Sequence, residues 1–426
     1  MDRLILSRSI LLVLVALGSG LEGGSAAELE LSRPEEVGMS SSVLARVKPA
    51  LQSFVDDGKV AGAVAVVLRK DRVVLFEAVG WRDIAERKPM ERDAIFRIYS
   101  MTKPITSVAV MLLAEQGLID LDAPVDRYLP ELRERDVLAA GGSPHDPARR
   151  QITTRDLLRH TSGLTYGFYG DTAVDRQYLA ANLLSRDSTL AEMLTKLQRL
   201  PLVCHPGERF VYSVSTDVLA RLVEVVAAQS FDAFIETRIF QPLGMTETSF
   251  AVRDADLPRF TTNYRQGNDG KLQPIDSPGT SPYRQPPQFL SGGGGLVSTA
   301  SDYVRFCRML QNRGELEGVR LLRPESVGAM TVNQLVGPAY PISIGKDRRD
   351  GVGFGLGFSV IVERIPGAEY VPIGEYGWGG AASTHFWISP AHDLAVVVLS
   401  QTMPFTLQLE SAVKPIVYEA LERPGK

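Results

Sequence analysis

Hydrophobic and polar positions change period along this chain, and each change marks an element. Over residues 40–57, Leu44, Val47, Leu51 and Val55 recur at spacings of three or four, which predicts an amphipathic helix capped by Ser41 or Ser42. Pro49 inside that run predicts a kink. Two apolar runs, 63–68 and 73–78, are joined by the polar turn Lys70-Asp71-Arg72 and read as a hairpin. The first is almost wholly apolar, as expected of a strand covered on both faces. From Ser100 to about Ala228 the period is helical. Ile105, Val108, Ala109 and Leu112 form one stripe, Pro104 falls in a tolerated first turn, and 154–159, 189–197 and 215–227 are further helices. Residues 139–150 read as an exposed loop. A second loop-rich region, 254–291, runs into Gly292-Gly293-Gly294-Gly295, where close backbone approach competes with a flexible linker as the reading. A helix at 301–311, strands at 355–362, 383–388 and 394–399, and a helix at 407–421 complete the chain.

This order predicts an α+β fold. One antiparallel sheet built from N- and C-terminal segments is flanked by helices and interrupted by a mainly helical lobe. The βαβ alternation of a doubly wound sheet is missing. The expected division is a discontinuous α/β domain, 28–98 with 292–426, and a mainly helical domain, 99–291.

Composition narrows the function. With 426 residues and 44% hydrophobic content the chain can bury a large core, and a net charge of -4 without basic runs argues against a nucleic-acid partner. Two cysteines, Cys204 and Cys307, are too few for a disulfide framework and are expected as unpaired buried thiols. No Cys/His cluster or His-Glu-x-x-His motif suggests a metal, and the glycine run lacks the Lys-Ser/Thr of a phosphate loop. No cofactor is expected. Arg3 and Arg8, the apolar run 10–17 and Ser25-Ala26-Ala27 read as a secretory signal over 1–27, which implies a periplasmic or secreted protein; a surface-anchoring N-terminal helix is the competing reading. Beyond it no stretch is long and apolar enough to span a membrane.

The chemistry starts at Ser100-Met101-Thr102-Lys103, at the start of the helical run. Residues three apart share a helix face, so Ser100 and Lys103 point the same way. A serine hydroxyl needs a base, and lysine supplies one when burial or nearby positive charge lowers its pKa. No Gly-x-Ser-x-Gly elbow exists to anchor a Ser-His-Asp triad. Of the five histidines, His160 reads as ordering its loop and His385 as lying on a strand face.

Ser100-Met101-Thr102-Lys103-Pro104 resembles the first motif of serine β-lactamases, penicillin-binding DD-peptidases and their esterase relatives. His160-Thr161-Ser162-Gly163-Leu164, the segment from Pro206 to Ser213, and Pro242-Leu243-Gly244-Met245-Thr246 resemble that superfamily in the same order. With Trp378-Gly379-Gly380 the nearest resemblance is to the family VIII carboxylesterases. The resemblance implies Ser100 as nucleophile, with Lys103 and Tyr212 as the proton-handling pair. It also implies an oxyanion hole from the N–H groups of Ser100 and Ala381, beside a substrate wall of Trp378, Gly379 and Gly380. Two departures matter. The second motif, Tyr-x-Asn in relatives, has Val214 for the Asn, and Trp378-Gly379-Gly380-Ala381 stands where many relatives carry Lys-Thr-Gly. The Asn amide that helps hold a β-lactam side chain and the Lys charge that attracts a carboxylate are both gone.

The expected activity is therefore cofactor-free hydrolysis of short-acyl, uncharged small-molecule esters through an acyl-enzyme, with weak opening of unhindered cephalosporins. The alternatives are a β-lactamase, D-amino peptidase or acyltransferase on the same scaffold, or a penicillin-binding sensor that acylates without turnover.

Overall fold

The computed structural model describes residues 29–138 and 146–422. The expected leader, 1–27, and most of the expected loop at 139–150 lie outside these residues.

An eight-stranded antiparallel sheet forms the centre. Its first strands are β1 (Gly62–Arg69), β2 (Arg72–Asp83) and β3 (Lys88–Pro89). The C-terminal part supplies β4 (Val352–Phe354), β5 (Ser359–Ile361), β6 (Tyr376–Gly380), β7 (Thr384–Ser389) and β8 (Leu394–Ser400). The order is β4-β5-β6-β7-β8-β1-β2-β3, so the two ends of the chain meet where Val66 of β1 pairs with Val397 of β8. Alternation along β1 explains its nearly uniform apolar sequence. Val64, Val66 and Leu68 enter the core beneath the helical lobe. Ala63, Ala65 and Val67 pack with Leu51, Val413 and Val417 from α1 (Val47–Asp56) and α5 (Gln408–Glu419).

Between β3 and β4 the chain forms the helical lobe around α2 (Thr102–Glu115) and α3 (Ser215–Ala227), and then α4 (Ala300–Gln311) packs on β8. Every residue of α2 from Thr102 to Leu113 is buried, so the helix is central and not amphipathic. Burying each of its large aliphatic side chains is worth about 1.5–3 kcal/mol, which fixes the helix that carries Lys103.

Several expectations are corrected. The helix expected over 40–57 is two, Ser41–Leu44 and α1, and Ser40 caps the first. The break falls at Ala45 and Arg46, and Pro49 sits harmlessly in the first turn of α1. The strand expected over 355–362 begins too early: Gly355 to Phe358 form the turn between β4 and β5, with Gly357 at φ 101°. The loop-rich region 254–291 contains a hairpin, Asn263–Gln266 with Leu272–Asp276, which pairs in parallel with Thr402–Met403. Fully buried Arg97 anchors it, donating to Asp276 at 2.6 Å and stacking 3.9 Å from the centre of the Phe260 ring. Helices also went unread, among them Phe231–Ile235, Pro324–Met330 and Ala173–Ala181, the last although Thr172 and Asp175 form a capping box at its start. Cys204 and Cys307 are free and buried.

Candidate active site

Ser100 lies in a single 3-10 turn, Tyr99–Met101, that runs directly into α2. Tyr99 takes φ 42°, a left-handed conformation uncommon for a bulky residue, and so turns the chain sharply at the nucleophile candidate. Lys103 is one turn further on. Its Nζ lies 3.1 Å from Ser100 Oγ and donates to the Gly293 carbonyl at 2.6 Å. The side chain is 1% exposed. Burial pushes its pKa down to about 7, against the opposing pull of the Asp217 carboxylate.

Tyr212 comes from the segment leading into α3. Its phenol accepts the Trp378 indole N–H at 3.4 Å and lies on the cavity wall with Ser100. Burial pushes the phenol well above its ordinary pKa, and the neighbouring Ser100 hydroxyl and Trp378 indole only partly oppose the shift. The Tyr212 ring lies 4.6 Å from Lys103 Nζ, so the three expected catalytic side chains converge on one point.

Strand β6 forms the facing wall. Trp378 packs its ring 5.5 Å from that of Tyr212 and edge-on to Phe354 at 5.1 Å. Gly380 is required by close approach, since a Cβ there would stand 2.3 Å from the Ile98 carbonyl oxygen, on the nucleophile turn itself. A Cβ at Gly379 would meet the Phe405 ring at 2.7 Å. Ala381 follows the end of β6 on the cavity wall with Ser100. The cavity has a volume of about 980 Å³ and is lined by Tyr166, Tyr212, Phe289, Trp378 and Phe405 around Ser100. Phe168 and Tyr169, 54% and 42% exposed, form an aromatic shelf on this wall, with Phe168 stacked on Tyr166 at 5.0 Å.

The histidines fall where the sequence puts them. His160 holds its loop through Ser213, at 3.3 Å from Nδ1, and His385 lies on β7. His385 joins a buried cluster in which Lys414 bridges Glu375 and Glu410 at 2.8 and 2.6 Å, tying α5 to the sheet.

Sequence reasoning left the role of two parts of the site open, and of its two readings of the glycine run the close approach is the one found. The glycine run is no linker: a Cβ at Gly292 would stand 2.7 Å from both Ala220 Cβ and the Thr216 carbonyl oxygen, so the run packs tightly on α3 and presents the Gly293 carbonyl to Lys103. The second is Asp217, fully buried in the first turn of α3. The available signal was an acidic residue in the first turn of an amphipathic helix, five positions after Tyr212.

The model of the family described as Beta-lactamase matches residues 47–413. The chain is 38% identical over 367 residues to Protein Rv1367c of Mycobacterium tuberculosis, covering 83% of this chain and 89% of that protein. It is 31% identical over 399 residues to Esterase EstB of Burkholderia gladioli, covering 88% and 96% respectively. Among solved structures it is similar to EstCE1, described as a hydrolase with promiscuous acyltransferase activity. The TM-score is 0.76 at 27% identity, over 88% of this chain and 99% of that one.

Proposed function

Because the chain belongs to the Beta-lactamase family, we propose that it is a serine carboxylesterase of the family VIII type acting on short-acyl, uncharged esters. The observation that carries this reading is the Ser100–Lys103 contact, 3.1 Å long, with an amine that burial brings to a pKa of about 7. Such an amine is half neutral at physiological pH and can take a proton.

Ser100 Oγ bonds to the ester carbonyl carbon as its proton passes to Lys103. The tetrahedral oxyanion is held by the N–H groups of Ser100 and Ala381, donors that need no reorganisation as charge develops. The carbon–oxygen bond to the alcohol then breaks. Tyr212 gives its phenolic proton to the departing oxygen and recovers one from Lys103. Its raised pKa suits this role, because the phenol is protonated at rest. A water attacks the acyl-enzyme by the reverse sequence and releases the acid.

EstB supports ester hydrolysis as the main activity. Val214 and Trp378 argue against efficient cleavage of β-lactams or D-amino peptides, because neither provides a polar anchor. A second reading, acyl transfer to an alcohol in place of water, is favoured by the description of EstCE1. Rates with p-nitrophenyl butyrate, a chromogenic cephalosporin and a D-Ala-D-Ala peptide, each with and without added alcohol, separate these readings. Butyrate hydrolysis should dominate. A faster cephalosporin or peptide reaction would overturn the assignment, and product partition toward the transferred ester would favour the second reading.

A further inference from the structure

Asp217 is hydrogen-bonded to neither Ser100 nor Tyr212, yet its bonds lead to the base. Its Oδ1 accepts the Ser291 hydroxyl at 2.6 Å and the Gly293 N–H at 3.0 Å. The next group of the same residue, the Gly293 carbonyl, accepts Lys103 Nζ at 2.6 Å. One glycine thus links a buried carboxylate to a buried amine. Gly293 is also the residue this link requires: a Cβ there would stand 2.6 Å from Asp217 Oδ2 and 2.8 Å from the Tyr166 hydroxyl. Asp217 Oδ2 has no hydrogen-bond partner, so the carboxylate is not fully neutralised by donors. A buried carboxylate with one unpartnered oxygen is costly to keep.

We propose that Asp217 is a positioning residue for catalysis: it holds the Gly293 peptide against Lys103 and, through its negative charge, sets the pH at which Lys103 becomes a base. This rests on the reading of Lys103 as the base. The titratable groups around the pair are Lys103 from α2, Tyr166 from the loop after His160, Tyr212 and His160. Burial moves each toward its neutral form: Lys103 and His160 are pushed down, Tyr166 and Tyr212 up. Burial also raises Asp217, against the Ser291 and Gly293 donors and the Lys103 charge; the ionised carboxylate opposes the lowering of Lys103, and removing its charge lets the amine's pKa fall further.

The test is the pH profile of kcat/KM for p-nitrophenyl butyrate. In wild type the acid limb should lie near pH 7. Asp217→Asn keeps an oxygen to accept Ser291 and Gly293 but loses the charge. Its acid limb should move to lower pH by about one unit, with a lower plateau because a weaker base is left. Gly293→Ala is the independent second variant. It forces the carboxylate away without removing it, and its limb should move in the same direction. A purely structural Asp217 would change melting temperature or plateau and leave the limb in place. Folded variants with the wild-type limb therefore overturn the proposal. If wild type turns over no ester at all, the functional reading fails instead, and the two failures are distinguishable.

Discussion

Lys103 and Tyr212 face one another with opposite shifts. The amine lies 4.6 Å from the centre of the phenol ring, and burial lowers the one to about 7 while raising the other. Both groups are thereby favoured neutral, which leaves Lys103 a lone pair to accept with and Tyr212 a proton to give.

The pH dependence follows with its sign. A lysine with a depressed pKa is inactive as a base while protonated, so kcat/KM should rise through about pH 7 and then level off, with no fall from Tyr212 ionisation near its ordinary pKa. Lys103→Arg keeps the positive charge and cannot deprotonate. It should retain less than about a hundredth of wild-type kcat, on the scale of lost general-base catalysis. An Arg variant with wild-type turnover would make Lys103 an electrostatic group and not a base.

Lys103 should also cost stability. At neutral pH the fold must hold an amine whose unfolded counterpart binds a proton more tightly, so the unfolded state carries more protons between about 7 and the ordinary lysine value of 10.5, and stability rises with pH across that window. Lys103→Met removes this penalty. It should be inactive yet melt at a higher temperature than wild type at pH 7, with the difference shrinking toward pH 10. An equal loss of stability at both pH values would mean that the hydrogen bond to Gly293 outweighs the burial cost.

Tyr212→Phe removes one oxygen from a buried ring and leaves its contacts with Trp378 and Tyr166 in place. Circular dichroism and melting temperature should stay close to wild type, while kcat falls by about a hundredfold or more. Collapse of the melting transition with full activity per folded molecule would make Tyr212 a packing residue.

Substrate range should follow the cavity walls. Trp378 gives an uncharged apolar face to a cavity of about 980 Å³ where many relatives carry a lysine, which suits small uncharged esters, and acetate and butyrate esters should exceed palmitate. First-generation cephalosporins should open slowly and bulky oxyimino ones not at all. The exposed Phe168 shelf should favour aromatic over aliphatic alcohols of similar leaving ability, and Phe168→Ser should reduce that preference by about tenfold, the scale of one aromatic contact. Palmitate above butyrate, or an unchanged preference in Phe168→Ser, would mean that the walls are misassigned.

Much of the architecture was legible because the local signals agree with the tertiary solution. The unbroken apolar run of β1 reports two covered faces, and the Ser100–Lys103 spacing reports one helix face. What escaped was set by contacts distant in sequence. The turn at Gly357 looks like strand until β4 and β5 are seen to pair. Gly292 to Gly295 read as a close approach or as a linker until α3 is packed against them. Asp217 carries no local sign that its carboxylate is linked, through a glycine 76 positions away, to the amine of Lys103.

Intact-protein mass spectrometry tests the central claim most directly. Wild type mixed with p-nitrophenyl butyrate and quenched in acid within the first turnovers should gain one butyryl group, mapped by peptide digestion to Ser100, and the adduct should decay as substrate is consumed. Ser100→Ala should gain nothing and lose turnover by several orders of magnitude. An acyl group on any other residue, or steady hydrolysis by Ser100→Ala, would contradict the assignment of Ser100 as nucleophile and with it the proposed reaction.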